Sequence, residues 1–196
     1  LSIFAPFASP EAEFLKPNSP VRWFAGDDAA TLLAAINTRM LKTPANWLGF
    51  FACGVHLAPE ALLTAGDYIA LHPAWCVLYS DEDAPGADGN GDAPQFKPDF
   101  NFELLRSTDY VGGIFARRDA LLAAGGYAQN PDGATYDMLL RLVDHAGEGS
   151  VGHIPEVLQR VPATARTRAT KKEARTAIIA NLDRRGLVPD ILPATP

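Results

Sequence analysis

Three acids in a row close the apolar run "VLYSDEDA": Asp81, Glu82 and Asp83. Carboxylates at i and i+2 past a strand end, here Asp81 and Asp83, can point the same way and share a divalent cation. Mg²⁺ and Mn²⁺ take a few protein oxygens and complete their shell with substrate phosphates. On that reading the turn is a site for a cation and a diphosphate; the competing reading is a solvated acidic turn. Asp137 and Arg141 stand four apart, a spacing that pairs them across one turn of a helix. "DGNGD" (Asp88, Asn90, Asp92) imitates a calcium loop, but its sixth position is Ala93, where a glycine is needed. His153, before Ile154-Pro155, reads as a packed or hydrogen-bonded residue.

These side chains need elements to hold them. "LSIFAPF" (Leu1 to Phe7) and "VRWFAG" (Val21 to Gly26) read as strands joined by a proline-containing loop. Asp27 or Asp28 caps a helix to about Lys42, with Leu32, Leu33, Ile36 and Met40 on one face. Asn46 to Val55 is near-continuously apolar, the mark of a central parallel strand covered on both faces. A helix over 58–71 opens with Pro59, and a strand over 74–80 leads into a long loop from Asp81 to Pro98. A strand over 110–117 follows, with a short helix stopped by Gly125-Gly126. An amphipathic helix over 135–147, a strand over 152–161 and a last amphipathic helix over 171–186 complete the chain. Strands and helices alternating at this spacing predict an α/β domain, a mostly parallel central sheet flanked by helices. Ligands of such sheets collect beyond the carboxyl ends of the strands, where "SDED" is expected to lie.

Composition narrows the function. The 196 residues suit one large domain, or a domain with a tail, and 47% of them are hydrophobic, enough to bury a core. A net charge of -6 argues against general nucleic-acid binding. The charge is uneven: eight of the 17 Lys and Arg lie between Arg160 and Arg185, and six acids lie between Asp81 and Asp99 with Lys97 alone. Two different surfaces are implied. Cys53 and Cys76, each in an apolar run, fit a reduced cytoplasmic protein. No apolar run approaches the ~20 residues of a membrane span. The start at "LSIFAPF", without initiator Met or basic leader, reads as a piece of a longer polypeptide.

The stretch from Val77 to Val111, "VLYSDEDAPGADGNGDAPQFKPDFNFELLRSTDYV", resembles the "YSDED…FKPDWNPDLL…NY" segment of family 2 of the nucleotide-sugar glycosyltransferases, in particular bacterial polysaccharide and rhamnosyl-type members. "ARRDALLAAGGY" is similar to that family's "RR..L...GGF", "YDMLLRL" to "DYDLLLRL", and "GHIPEVL" to "HIP.VLY". "LSIFAPF" resembles the opening "VSIIIPVYN", Asn37 matches the Asn of "A.RN.GL", and "NWLGFFACGVHLAPEAL" resembles "EYIAFLDHDDELAPDAL". The resemblance implies a GT-A fold: a Rossmann-like nucleotide half, about 1–83, and an acceptor half, about 84–165, followed by a basic helical extension over 166–196 leading towards a further domain. It also implies inverting transfer of a sugar from a nucleoside-diphosphate donor to a glycan acceptor. A divalent cation (Mn²⁺ or Mg²⁺) would hold the leaving diphosphate and a carboxylate would act as base. The expected setting is cytoplasmic, at the inner membrane face where a lipid-linked acceptor would be met.

Transferred residue by residue, three family positions are altered. Ala52-Cys53-Gly54-Val55 stand where the family has its metal motif "LDHDD", and they offer no side-chain oxygen. Ala134-Thr135 replace the first Asp of "QDYDL", leaving Asp137 as the surviving acid; a threonine hydroxyl is no base near neutral pH. Arg160 stands for the His of "VLYHW". The resemblance leaves Asp81, Glu82, Asp83, Lys97, Asp99, Asn37, Tyr136 and Arg141 as the donor and acceptor pocket. Asp81 and Asp83 become substitute metal ligands, Asp137 the base, and His56, beside the altered motif, a candidate ligand. Trp23 and Phe100 are the candidate sugar platforms. Two functions follow: a transferase with an improvised centre, or a non-catalytic module of a larger glycosyltransferase polypeptide.

Overall fold

The computed structural model describes residues 2–5, 22–25, 28–52, 54–85, 92–127, 134–165 and 168–188; the side chains of 2–5, 22–25, 29, 85 and 92 are outside the description. Trp23, Cys53, Asp88 and Asn90 therefore contribute nothing to the site described below. Strands β1 (Ser2–Ala5) and β2 (Arg22–Ala25) pair in parallel. Helix α1 (Ala29–Lys42) starts where the Asp28 carboxylate accepts from the Thr31 N–H at 2.7 Å.

Six further strands form the main sheet: β3 (Trp47–Phe50), β4 (His56–Leu57), β5 (Val77–Pro85), β6 (Asp92–Gln95), β7 (Ile114–Arg117) and β8 (Val151–Arg160). Their order is β3-β7-β5-β8-β4, with β6 paired to β5. The expectation of a mostly parallel sheet needs correction. Among the described strands β1–β2 and β5–β8 are parallel, while β3–β7, β5–β7, β5–β6 and β4–β8 are antiparallel. Connectivity is the cause: β7 enters between β3 and β5 running against both. The α/β class itself stands.

Alternation along β5 distributes its side chains between two cores. Val77 and Tyr79 enter the larger one with α5 (Ala134–Ala146), α3 (Phe102–Ser107), α4 (Arg118–Ala123) and α6 (Lys171–Arg184). Leu78 enters the smaller one with Ile154, Leu158 and the Ala61 and Ala65 face of α2 (Ala61–Leu71).

A second correction concerns the acids. The sequence places them in a loop beyond Ser80, but β5 continues to Pro85 and folds back through β6, with Glu82 opposite Gln95. Asp81, Glu82 and Asp83 are thus strand residues, and the β5–β8 register shifts on either side of Asp81.

The basic stretch is described from Arg168 and is held against α5 through α6. Thr170 and Glu173 form a reciprocal capping box that starts α6. Asn181, Arg184 and Arg185 all donate to the Asp144 carboxylate, and the Arg185 guanidinium lies 4.4 Å over the Phe102 ring.

Candidate functional site

The β5–β8 seam gathers most of the acids and bases singled out in the sequence. Asp81 is 2% exposed, and its Oδ1 accepts from the Lys97 N–H at 2.8 Å and faces His153 Nε2 at 2.9 Å. The His153 ring stacks on Tyr79, centroids 4.8 Å apart, and its Nδ1 faces Asp99 at 3.2 Å. Tyr79 donates its hydroxyl proton to Pro98 O at 2.6 Å, and burial pushes its pKa well above the ordinary value.

Glu82, one residue on, faces the opposite side of the strand. Lys97 Nζ sits 2.7 Å from one of its oxygens and Arg168 Nη2 2.7 Å from the other. Lys97 Nζ also donates to Val111 O at 2.8 Å. Burial pushes the Lys97 ammonium down to about 8, against the opposing pull of Glu82. Gly112, at φ +72°, leaves room for Arg168: a Cβ there would collide with the guanidinium. Asp109, whose pKa burial pushes up, accepts from the Ala169 N–H at 2.8 Å. Each charge in this cluster is answered within the chain.

A second set of predicted residues surrounds the glycine turn after α4. Asn37 Nδ2 donates to Leu33 O and Tyr127 O, and its Oδ1 accepts from the Tyr127 N–H at 2.8 Å. Gly126, at φ +78°, allows that approach, since a Cβ would lie 2.6 Å from Asn37 Oδ1. Arg141 Nη1 donates to Ala124 O and Gly126 O, and its Nε to Asp137 at 2.9 Å. Asp137 is also 3.5 Å from Arg184 of α6. Tyr136 is buried apart from both sets, donating to Leu105 O at 2.6 Å.

Asp81, Glu82, Lys97 and Asp99 therefore come together, as do Asn37, Asp137 and Arg141. The first set does not fit a divalent cation. Asp81 Oδ1 is shared by the Lys97 N–H and His153, and the two Glu82 oxygens face Lys97 and Arg168; Asp83 is half-buried, with its backbone carbonyl accepting from Val161. Ala52, Gly54 and Val55 bring no side-chain oxygen to the end of β3, and His56 is exposed on β4. Among the described residues no group of three or more His, Cys, Asp and Glu side chains could hold a metal ion. Sequence reading missed Arg168 and Asp109. Their partners lie 86 and 60 residues away, a distance no local pattern spans.

A surface pocket of about 510 Å³ opens at the amino ends of β5 and β8. It is lined by Trp75, Asp99, Phe100, Glu148, Gly149, Val151, Gly152 and His153.

Comparison with known proteins adds context. No family model matches the chain. O-antigen biosynthesis protein RfbC of Myxococcus xanthus is 34% identical over 148 residues, covering 74% of this chain and 12% of that protein. The uncharacterized protein y4gI of Sinorhizobium fredii is 34% identical over 124 residues, 61% of this chain and 13% of that one. The chain thus spans about an eighth of the length of the curated relatives it matches. Among solved structures, S. aureus TarS 1-349 in complex with UDP-GlcNAc superposes with a TM-score of 0.66 at 10% identity, over 92% of this chain and 56% of that one. Glucosyl-3-phosphoglycerate synthase of Mycobacterium tuberculosis, in complex with Mn²⁺, UDP-glucose and phosphoglyceric acid, superposes with a TM-score of 0.58 at 13% identity, over 96% and 70%. No helix among the described residues is long and apolar enough to cross a membrane.

Proposed function

We propose that this chain, which belongs to the family 2-like GT-A glycosyltransferases of bacterial polysaccharide synthesis, serves as a recognition module of a larger transferase and does not itself carry out cation-assisted sugar transfer. One observation carries the reading: Asp81, Glu82 and Asp137, three of the acids that could stand in for the altered motifs, are committed to internal partners, which leaves Asp83 without a second free carboxylate beside it. Asp81 is taken by Lys97 and His153, Glu82 by Lys97 and Arg168, and Asp137 by Arg141 and Arg184. A carboxylate oxygen already shared by internal donors has little left to offer a metal ion or an acceptor hydroxyl. The module would act on the cytoplasmic side, alongside neighbouring domains that hold the nucleotide-sugar donor and the glycan acceptor.

Calorimetric titration of UDP and dTDP, with and without Mn²⁺, tests this. The expected result is no Mn²⁺-dependent nucleotide binding at millimolar concentration, and no release of nucleoside diphosphate from donor sugars. Metal-dependent binding that disappears in Asp81→Ala and Asp83→Ala would instead support the improvised transferase, with Asp137 as its base.

A further inference from the structure

The pocket at the amino ends of β5 and β8 is separate from the place where open α/β sheets hold their ligands. His153 is in register with Tyr79, whereas Asp83 marks the far end of the seam, opposite Arg160. Asp83 lies four steps along the strand from Tyr79, roughly 13 Å. The pocket shares His153 and Asp99 with the Asp81 cluster, and its remaining walls take no part in the contacts described above, yet it is built. Phe100 packs one side on the main core and lines the pocket with the rest. Gly152 is compelled: a Cβ there would run into the Trp75 ring, so the glycine lets the indole lie flat along the wall. His153, 5% exposed at its side chain, is fixed by Asp81 behind it and meets the exposed Asp99 at the mouth. Glu148 supplies a second exposed carboxylate.

We infer that this pocket is a binding site for an uncharged sugar ring of a glycan. The inference deepens the recognition-module reading and rests on it in one respect, that the chain works on glycans. Sugar rings are recognised by an aromatic face against their C–H surface and by planar acceptors that pair with vicinal hydroxyls. Phe100 supplies the first, and Asp99 and Glu148 supply the second. The volume, about 510 Å³, lies in the range of small-ligand pockets. The two carboxylates set the selectivity: they accept from hydroxyls and repel anionic sugars.

Amide-resolved NMR titration of the ¹⁵N-labelled chain tests the site. The probes are the methyl glycosides of glucose, galactose, rhamnose and N-acetylglucosamine, with glucuronic acid and glucose 1-phosphate as anionic counterparts. At least one neutral glycoside is expected to shift the amides of Phe100, Gly149, Gly152 and His153 with millimolar affinity. Phe100→Ala should weaken that binding about tenfold. Glu148→Gln, an exposed change that leaves the core intact, should weaken it severalfold and narrow the discrimination against anionic sugars. The proposal is overturned if no neutral glycoside shifts these amides, if both variants bind as the parent does, or if the anionic sugars bind as well as the neutral ones. The nucleotide titration with Mn²⁺ reads Asp81 and Asp83, and the glycoside titration reads Phe100 and Glu148: the first outcome can sink the recognition-module reading while the glycoside shifts stand, and the reverse.

Discussion

Two regions of this sheet carry opposite chemistry. At the end of β3, Ala52, Gly54 and Val55 present no ionisable group, although the resemblance places a cation-binding motif there. At the β5–β8 seam, Asp81, Glu82, Lys97, His153 and Arg168 crowd into a few ångströms of buried space. A density of acids and bases would ordinarily mark the second region as the reactive one. Its geometry argues otherwise, because these charges satisfy one another, and a closed set has little left for a ligand. The β3 end is poor in groups but open; the seam is rich in groups but spoken for.

The sharpest way to break this contrast is to unbalance the seam. Glu82→Ala leaves the buried Lys97 ammonium facing the half-buried Arg168 without the carboxylate between them. The expected loss of stability is about 3–5 kcal/mol, read by urea denaturation. Replacing the pair together, Glu82→Leu with Lys97→Met, should cost much less, because no lone buried charge is left behind. If Glu82→Ala instead leaves stability unchanged and creates nucleotide binding, the seam is a blocked active site and the reading of a closed structural cluster fails.

Gly112→Ala probes the same cluster from the backbone. The residue sits at φ +72°, and its Cβ would strike the Arg168 guanidinium. Backbone strain and the displaced arginine together should cost about 1–3 kcal/mol. Combined with Arg168→Ala the two losses should be less than additive, since the collision is then gone.

How much of this was legible beforehand depended on where each residue's partner lies. The start of α1 could be read because Asp28 caps an amide three residues on. The stop of α4 at Gly125-Gly126 could be read because both glycines take positive φ, at +91° and +78°. The end of β5 could not. Three consecutive acids normally announce a wet turn, and what keeps them in a strand is Lys97, 15 residues from Glu82, His153, 72 from Asp81, and Arg168, 86 from Glu82. Asp137 with Arg141 was legible as a helical pair, but the added contact to Arg184 needed the packing of α6. Local chemistry predicted local structure; the site was assembled from remote partners.

Titration of Lys97 offers a smaller, graded test. Its folded pKa, about 8, is below the ordinary 10.5, so between those values the unfolded chain binds more protons than the folded one. Stability contributed by this group should therefore rise as pH increases from about 8 towards 10.5. A stability–pH profile of Lys97→Met should lack that rise. A parent profile that falls over the same window relative to the variant would mean that the ammonium is stabilised by Glu82 more than burial penalises it.

The smallest expected effect comes from trying to give the β3 end what the seam has in excess. The Val55 N–H donates to Ala52 O at 3.2 Å, closing a turn that brings residues 52 and 55 near each other, while Gly54 takes φ +87°. Acids are therefore best placed at 52 and 55 and kept off 54, where a side chain would be strained. Ala52→Asp with Val55→Asp sets two carboxylates on a partly exposed turn. Weak, millimolar Mn²⁺ binding is expected, measurable by paramagnetic broadening of nearby amides. Sugar transfer should remain absent, because Thr135 still stands where the resemblance puts the base and Asp137 is still paired. Transfer activity in that double variant would show that the β3 end alone separates this chain from a working transferase, and that the seam's charges were never in the way.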